Sequence, residues 1–306
     1  MHYSNNMVFI LICIMLLISC NKEQNVQGWN ENKNYSNENA LTINYEGQFR
    51  EYLIYVPDSY DNTSSIPLVM SFHGGSDTAE GHMQMTDMQS ISDTAGFLIV
   101  YPQGSLNNGV SHWNSMYYTE ENKSNVNDIG FIEELIDTLY NNYNIDSTRL
   151  YAVGFSNGAD FAFSLACYLN NTFAAIASVA GLMPEESEIH CNSSDTTGIL
   201  IIHGTNDSAR PYNGIDGWYL SVDNALNYWI NYNNLDSNLS SNYINNDHSY
   251  QIEFYDYLDE NDKIIVKLLK IINGGHYWFD IQHENNNLDQ IIWKFLSKHS
   301  IITSNN

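Results

Sequence analysis

From about residue 40 onward the chain alternates between two hydrophobic textures. Some stretches are apolar at every second position or throughout, the mark of a strand; others repeat apolar residues every three or four positions, the mark of a helix. Leu41 to Tyr45 (LTINY) and Arg50 to Val56 (REYLIYV) alternate and predict a half-buried hairpin. Pro67 to Phe72 (PLVMSF) and Phe97 to Tyr101 (FLIVY) are almost wholly apolar, as central parallel strands covered on both faces must be. Glu80 to Ala95, between them, has mixed helical character. Asp128 to Tyr143 predicts a helix with Asp128 as its acidic cap and Ile129, Ile132, Leu135, Ile136 and Leu139 on one face. Arg149 to Phe155 reads as a strand, followed by a small-residue helix from Gly158 to Leu169. Phe173 to Val179 and Gly198 to His203 are two further buried strands, and Trp218 to Ile230 suits a helix. Residues 231–249 are polar and read as a surface excursion. Gln251 to Leu258 and Lys263 to Ile272 pair around Asp259-Glu260-Asn261-Asp262, good turn material, and Leu288 to Lys298 closes with a helix. Strands alternating with helices predict an α/β fold: a mostly parallel central sheet with helices on both faces. No internal repeat is visible, so residues 40–306 read as one domain.

The N-terminus departs from this pattern. Val8 to Ser19 is an apolar run shorter than the roughly 20 residues that span a bilayer. It ends in Leu16-Leu17-Ile18-Ser19-Cys20, which resembles a bacterial lipoprotein signal whose cysteine is lipidated and becomes the new N-terminus. The preceding MHYSNN lacks Lys and Arg, a departure from that signal, and an ordinary signal peptide or a buried strand are the alternatives. Residues 21–39 are polar and read as a flexible tether, spanning roughly 20–25 Å as a coil. The chain is therefore expected to be exported and held by a lipid at Cys20 to the bacterial membrane or cell surface, or otherwise to be extracellular.

Composition sharpens the picture in two places. The net charge of −25, from 36 acidic against 11 basic residues, repels phosphate backbones and excludes nucleic acid as a partner. Of four cysteines, removing Cys13 with the signal and assigning Cys20 to lipid leaves Cys167 and Cys191. In an oxidising compartment these imply one disulfide, worth about 3 kcal/mol in the chain-entropy view, with two buried free thiols as the alternative.

Gly154-Phe155-Ser156-Asn157-Gly158 matches G-x-S-x-G. The pattern alone is weak, but here it follows a buried strand and opens a helix, the setting in which a tight elbow lifts a serine hydroxyl into a cleft. A serine needs a base to become a nucleophile, and the base needs an orienting carboxylate. The buried strand GILIIH ends just before Asp207, and the strand of Lys263 to Ile272 runs into Asn273-Gly274-Gly275-His276. Ser156, Asp207 and His276 thus stand in the chain order Ser, Asp, His at strand ends, where open α/β sheets place their chemistry. Asp280 and Asp216 are the alternative acids. His73-Gly74-Gly75-Ser76 follows another buried strand, so the backbone amides of Gly75 and Asn157 are the expected oxyanion donors, with Ser76 the fallback and His73 structural. Trp113, Tyr117, Tyr118 and Trp278 would offer stacking surface to a sugar or phenolic ring. No histidine, carboxylate or cysteine set has metal-ligand spacing, and no cofactor is implied.

Taken together, SFHGGSDTA, YPQG, Trp113-Asn114, VNDIGFIEELIDTL, RLYAVGFSNGADFAFSLAC, FAAIASVAG, IIHGTNDSARPYNG and INGGHYW resemble the polyhydroxybutyrate depolymerase and feruloyl esterase family of secreted α/β-hydrolases. The segments run in order from about residue 45 to the C-terminus. The resemblance implies the same triad at Ser156, Asp207 and His276, a loop donor at Gly75 and a bridge between Cys167 and Cys191. It departs after His276, where Tyr277-Trp278-Phe279-Asp280 stands in place of Trp-Pro-Gly. The function it implies is hydrolysis of carboxylic esters through an acyl-enzyme, on feruloyl or acetyl esters of polysaccharide or alternatively on an aliphatic polyester. A serine peptidase or a catalytically silent binding protein on the same scaffold are the rival classes.

Overall fold

The structure, a computed structural model, describes residues 40–116, 124–191, 196–236, 240–247 and 250–301. The expected signal peptide with Cys20 and the tether lie outside the described residues, as do Tyr117 and Tyr118. β1 (Leu41–Tyr45) and β2 (Gln48–Tyr55) form the expected antiparallel hairpin. β3 (Ile66–Phe72) is followed by α1 (Ala79–Met85), α2 (Met88–Ala95) and β4 (Leu98–Pro102). A small hairpin of β5 (Ser105–Asn107) and β6 (Val110–His112) comes next. Then follow α3 (Asp128–Asn142), β7 (Ile145–Phe155), α4 (Asn157–Tyr168) and β8 (Ala175–Val179). After a 3-10 turn at Glu185–Ile189 come β9 (Gly198–Gly204), α5 (Val222–Tyr232), β10 (Ser240–Asp247), β11 (Tyr250–Leu258) and β12 (Ile264–Ile272). A short pair, β13 (Gln282–His283) and β14 (Asn286–Asn287), leads into α6 (Leu288–Leu296).

Among the described residues ten strands form one sheet in the order β1-β2-β4-β3-β7-β8-β9-β12-β11-β10. The run from β4 to β12 is parallel and the flanks are antiparallel. Successive strand residues face opposite sides, and two cores result. Leu68, Met70, Phe72, Leu150 and Ile201 pack with Phe131, Phe161 and Trp229 of α3, α4 and α5. Val69, Tyr151, Val153 and Ile202 pack with Met83, Met88, Ile292 and Phe295 of α1, α2 and α6. Each such side chain contributes roughly 1.5–3 kcal/mol by leaving water, so both layers hold the sheet rigid beneath its ends. Cys167, at the end of α4, is bonded to Cys191 beyond the 3-10 turn.

Three expectations change. Asp128 does not cap α3; Asn127 does, its side chain accepting from the Gly130 N–H at 3.0 Å. Asp128 is buried instead, where it pairs with Arg50 at 2.7 Å and accepts the Asn114 amide at 2.8 Å. Helix α5 starts at Val222 rather than Trp218, because Ser221 caps it and the Trp218 carbonyl is engaged by the Glu185 N–H at 3.0 Å. Part of the polar segment 231–249 is a strand, β10, paired antiparallel with β11. Backbone pairing does not require apolar side chains at a sheet edge, and Tyr243, stacked on Phe254 at 4.6 Å, anchors the strand.

Candidate active site

Parallel strands end on the same side of a sheet, so β3, β7, β9 and β12 release their following loops at one edge. These loops bring His73–Ser76, Ser156, Asp207 and His276 together. β7 turns directly into α4 at Ser156, whose φ of 53° and ψ of −120° is a conformation L-residues rarely adopt. The turn is so tight that a Cβ on Gly154 would collide with the Gly158 carbonyl, and one on Gly158 with the Phe72 carbonyl. This is the physical reason for the two glycines of the motif.

His276 Nε2 lies 2.8 Å from Ser156 Oγ and His276 Nδ1 lies 2.7 Å from Asp207 Oδ2. A carboxylate can only accept, so Nδ1 carries the proton and Nε2 is left to accept from the serine hydroxyl. The Asp207 side chain is fully buried, while that of His276 is 23% exposed and open to a substrate. Asp216 and Asp280 are both exposed, and the histidine nitrogen they would need is taken by Asp207. Loop-to-loop bonds fix this side of the site: Thr205 N–H donates to Ile271 O and Asn206 N–H to Gly274 O, each at 2.9 Å. Asn273 N–H donates to Thr205 Oγ1 at 2.8 Å. Asp207 Oδ1 accepts the amides of Ala209 and Arg210, both at 2.8 Å. Burial alone would raise the Asp207 pKa, but the His276 hydrogen bond and the Arg210 amide outweigh it and hold the carboxyl below its ordinary value.

The amides expected to serve as oxyanion donors belong to the His73–Ser76 loop and to the elbow itself. Ser76 N–H donates to Ser111 O at 2.8 Å and so is spent. Among the described residues the amides of Gly75 and Asn157 have no acceptor. A Cβ on Gly75 would lie 3.7 Å from that of Asn157, so the two amides are neighbours. His73 is fully buried; its Nδ1–H donates to Gly74 O at 2.7 Å and its Nε2 accepts from Gly104 N–H at 2.9 Å, which shapes the loop and spends both ring nitrogens. The Asn157 side chain clips a second loop to the elbow, accepting from Trp113 N–H at 2.6 Å and donating to Trp113 O at 3.0 Å.

The two described aromatics expected to stack on substrate are both packed against protein neighbours. Trp113 is 1% exposed, stacks on Phe161 at 5.0 Å and donates its indole N–H to His73 O at 3.1 Å. Trp278 packs edge-on against His82 at 5.6 Å and Phe155 at 6.3 Å, beneath the His276 turn. An aromatic ring fits a core as well as a cleft: Trp113 belongs to the core while lining the edge of a cleft, and Trp278 is half-buried against the second core. Trp218, in a stretch that the sequence reads as helical, is 39% exposed and lines a cleft of about 90 Å³ with Trp113, Asn157, Arg210 and Tyr219. Gly214 and Gly217, with φ of 80° and 74°, were the available signal that a turn precedes it.

A second buried carboxylate stands behind the His276 turn. Asp289, in the first turn of α6, faces the indole N–H of Trp278, and neither its Oδ1 nor that N–H has an aligned partner. Burial, reinforced by the nearby Asp87, pushes its pKa up to about 7, although the Asp87 amide and the Trp278 N–H act the other way. No group of three His, Cys, Asp or Glu side chains placed to hold a metal ion occurs among the described residues. No helix among them is long and apolar enough to cross a membrane.

A family profile described as esterase PHB depolymerase matches residues 50–216 of this chain. A bifunctional acetylxylan esterase/xylanase of Neocallimastix patriciarum is 28% identical over 173 residues, covering 56% of this chain and 24% of that protein. A probable feruloyl esterase C of Aspergillus clavatus is 29% identical over 171 residues, covering 54% of this chain and 57% of the other. The chain thus spans well under two thirds of the length of these relatives. Among solved structures, an acetyl xylan esterase from Aspergillus awamori superposes with a TM-score of 0.59 at 13% identity, over 85% of this chain and 99% of that one. At that identity the likeness is one of fold, the α/β-hydrolase fold.

Proposed function

The chain belongs to the esterase PHB depolymerase family, and from that premise we propose that it is a serine carboxylic-ester hydrolase working through an acyl-enzyme. The observation that carries the reading is the unbroken relay Ser156–His276–Asp207, with contacts of 2.8 and 2.7 Å, beside the paired amides of Gly75 and Asn157. His276 Nε2 takes the proton of Ser156 as its oxygen attacks the ester carbonyl. Asp207 holds the imidazole in the required tautomer and stabilises its charged form. The amides of Gly75 and Asn157 receive the developing oxyanion in a site where the donors are already oriented. His276 then protonates the departing alcohol, and water, activated in the same way, releases the acid.

Feruloyl or acetyl esters of polysaccharide are the proposed substrates, a choice supported by relatives named for those activities. The family's own description supports an aliphatic polyester as the second reading. Export, with a lipid on Cys20 as the sole membrane contact, is part of the proposal and rests on the sequence of residues 8–20.

The test compares wild type with Ser156→Ala, lacking residues 1–20, for release of acetate, ferulate and 3-hydroxybutyrate from matched esters. Wild type is expected to release one of these acids at a rate at least ~10⁴-fold above the variant, with the fold unchanged by circular dichroism. The acid released chooses between the two substrate readings. Equal inertness of both proteins on all three esters would overturn both substrate readings and make a catalytically silent scaffold the reading to test next.

A further inference from the structure

Arg210 and Asp160 are 50 residues apart in sequence and meet between the two halves of the site. Arg210 closes the loop that carries Asp207, and Asp160 sits in the first turn of α4, the helix that Ser156 opens. The guanidinium grips the carboxylate as a fork, with Nε at 2.9 Å and Nη2 at 2.7 Å from Oδ2. The second oxygen of Asp160 accepts from Leu182 N–H at 2.8 Å, which ties the pair to the segment after β8. Asp160 is completely buried and the Arg210 side chain only 21% exposed. The backbone of Arg210 is engaged as well: its N–H donates to Asp207 Oδ1 and its carbonyl accepts from His203 Nε2, both at 2.8 Å.

We propose that Arg210, held by Asp160, is a positioning residue that sets Asp207, and through it His276, against Ser156. The contacts form a closed ring: Ser156 starts the helix that bears Asp160, Asp160 holds Arg210, Arg210 holds Asp207, Asp207 holds His276, and His276 returns to Ser156. β7 and β9, which deliver Ser156 and Asp207, are separated by β8 in the sheet, so no backbone ladder sets one loop against the other. A planar fork fixes direction as well as distance, which a point charge does not. Buried ion pairs contribute little net stability compared with apolar residues of equal size, so geometry is the role left for this one. The proposal rests on the esterase reading for its kinetic readout and is therefore tested with a second readout that needs no turnover.

The experiment compares wild type, Asp160→Asn and the double variant Asp160→Leu/Arg210→Met, in which an apolar pair leaves no charge buried alone. Three quantities are measured: the melting temperature, kcat and KM on 4-nitrophenyl acetate, and the downfield proton resonance of His276 Nδ1–H, assigned by its absence in His276→Ala. The double variant is expected to melt close to wild type while kcat falls about 10²-fold with KM nearly unchanged, since small misplacements of reacting groups carry losses of that order. Its downfield resonance should broaden or vanish. Wild-type kcat together with an intact resonance in the double variant would overturn the proposal. Should the double variant not fold, Asp160→Asn decides: a kcat loss of about tenfold at constant KM supports positioning, and wild-type kcat overturns it. If wild type itself shows no Ser156-dependent turnover, the esterase reading fails separately, and the resonance alone decides whether Arg210 positions Asp207.

Discussion

A loop and a helix each bring a buried carboxylate up to the segment that carries His276, and they treat it in opposite ways. The loop after β9 surrounds Asp207 with the amides of Ala209 and Arg210 and the Nδ1–H of His276. The first turn of α6 gives Asp289 a facing indole and a nearby like charge, and leaves one of its oxygens without an aligned donor. Both residues are hidden from solvent, Asp289 deeper among protein atoms, and one carboxyl is held below its ordinary pKa while the other is pushed up to about 7. Burial pushes both acids up; around Asp207 the hydrogen bonds from His276 and the Arg210 amide outweigh it, and around Asp289 the available donors do not. Asp207 is kept as an anion at the place where an imidazolium is to form, and Asp289 is not.

The largest effect should come from disturbing the donor-rich side. Asp207→Asn keeps the shape but offers an amide that can donate to the imidazole, which favours the wrong tautomer. A loss of about 10⁴ in kcat, with KM little changed, is expected in steady-state kinetics. Wild-type turnover in that variant would mean another acid serves His276. The same substitution bears on acid stability. The Asp207 pKa is lower folded than unfolded, so its contribution is present above the ordinary carboxylate range and disappears as pH falls through the folded value. Asp207→Asn should flatten that acid limb in melting curves.

Asp289 has the opposite sign. Its folded pKa of about 7 lies above the ordinary 3.8, so the unfolded chain gives up this proton first as pH rises. Its contribution is complete below about pH 4 and is lost by the time pH has passed about 7. Melting temperature followed from about pH 5 to about pH 8 should fall in wild type and fall less in Asp289→Asn, a difference on the order of 3 kcal/mol. Parallel curves would break the comparison. The smallest effect belongs to Trp278→Phe. The indole N–H helps the charged form of Asp289 without an aligned bond, so its loss should change stability by less than about 1 kcal/mol. It should also move the midpoint of the pH-dependent loss upward, a sharper measure of how much one ill-aligned donor is worth.

Much of this arrangement was legible before any coordinates. Strands covered on both faces must be apolar throughout, which exposed β3, β4, β7, β8 and β9, and parallel strands end together, which placed Ser156, Asp207 and His276 at one edge. What stayed hidden was whatever depends on a distant partner. Asp160 reads as one polar residue in a small-residue helix, and its arginine lies 50 residues on, where no local periodicity reaches. Asp289 looks like an ordinary acid in the first turn of a helix, where the macrodipole welcomes it; only the packing of α6 against the His276 turn reveals that it is buried. Trp113 and Trp218 are chemically alike in a one-dimensional text, and the fold alone decided that both line one cleft, the first from within the core and the second from the surface. The strand β10 was concealed for a different reason: its Ser and Asn content describes the solvent it meets rather than the hydrogen bonds it makes.

That polar edge strand also bears on how the molecules behave toward one another. Among the described residues β10 has a strand neighbour on one side only, as does β1 at the far end of the sheet, so these two borders can template a foreign strand. With a net charge of −25, mutual repulsion between copies keeps those borders apart near neutral pH. Acidification removes that colloidal barrier as the carboxylates take up protons, while the backbone groups at the borders remain as they were. Concentrated stocks are accordingly best kept on the alkaline side of neutrality, and light scattering during an acid titration should register self-association before circular dichroism registers unfolding.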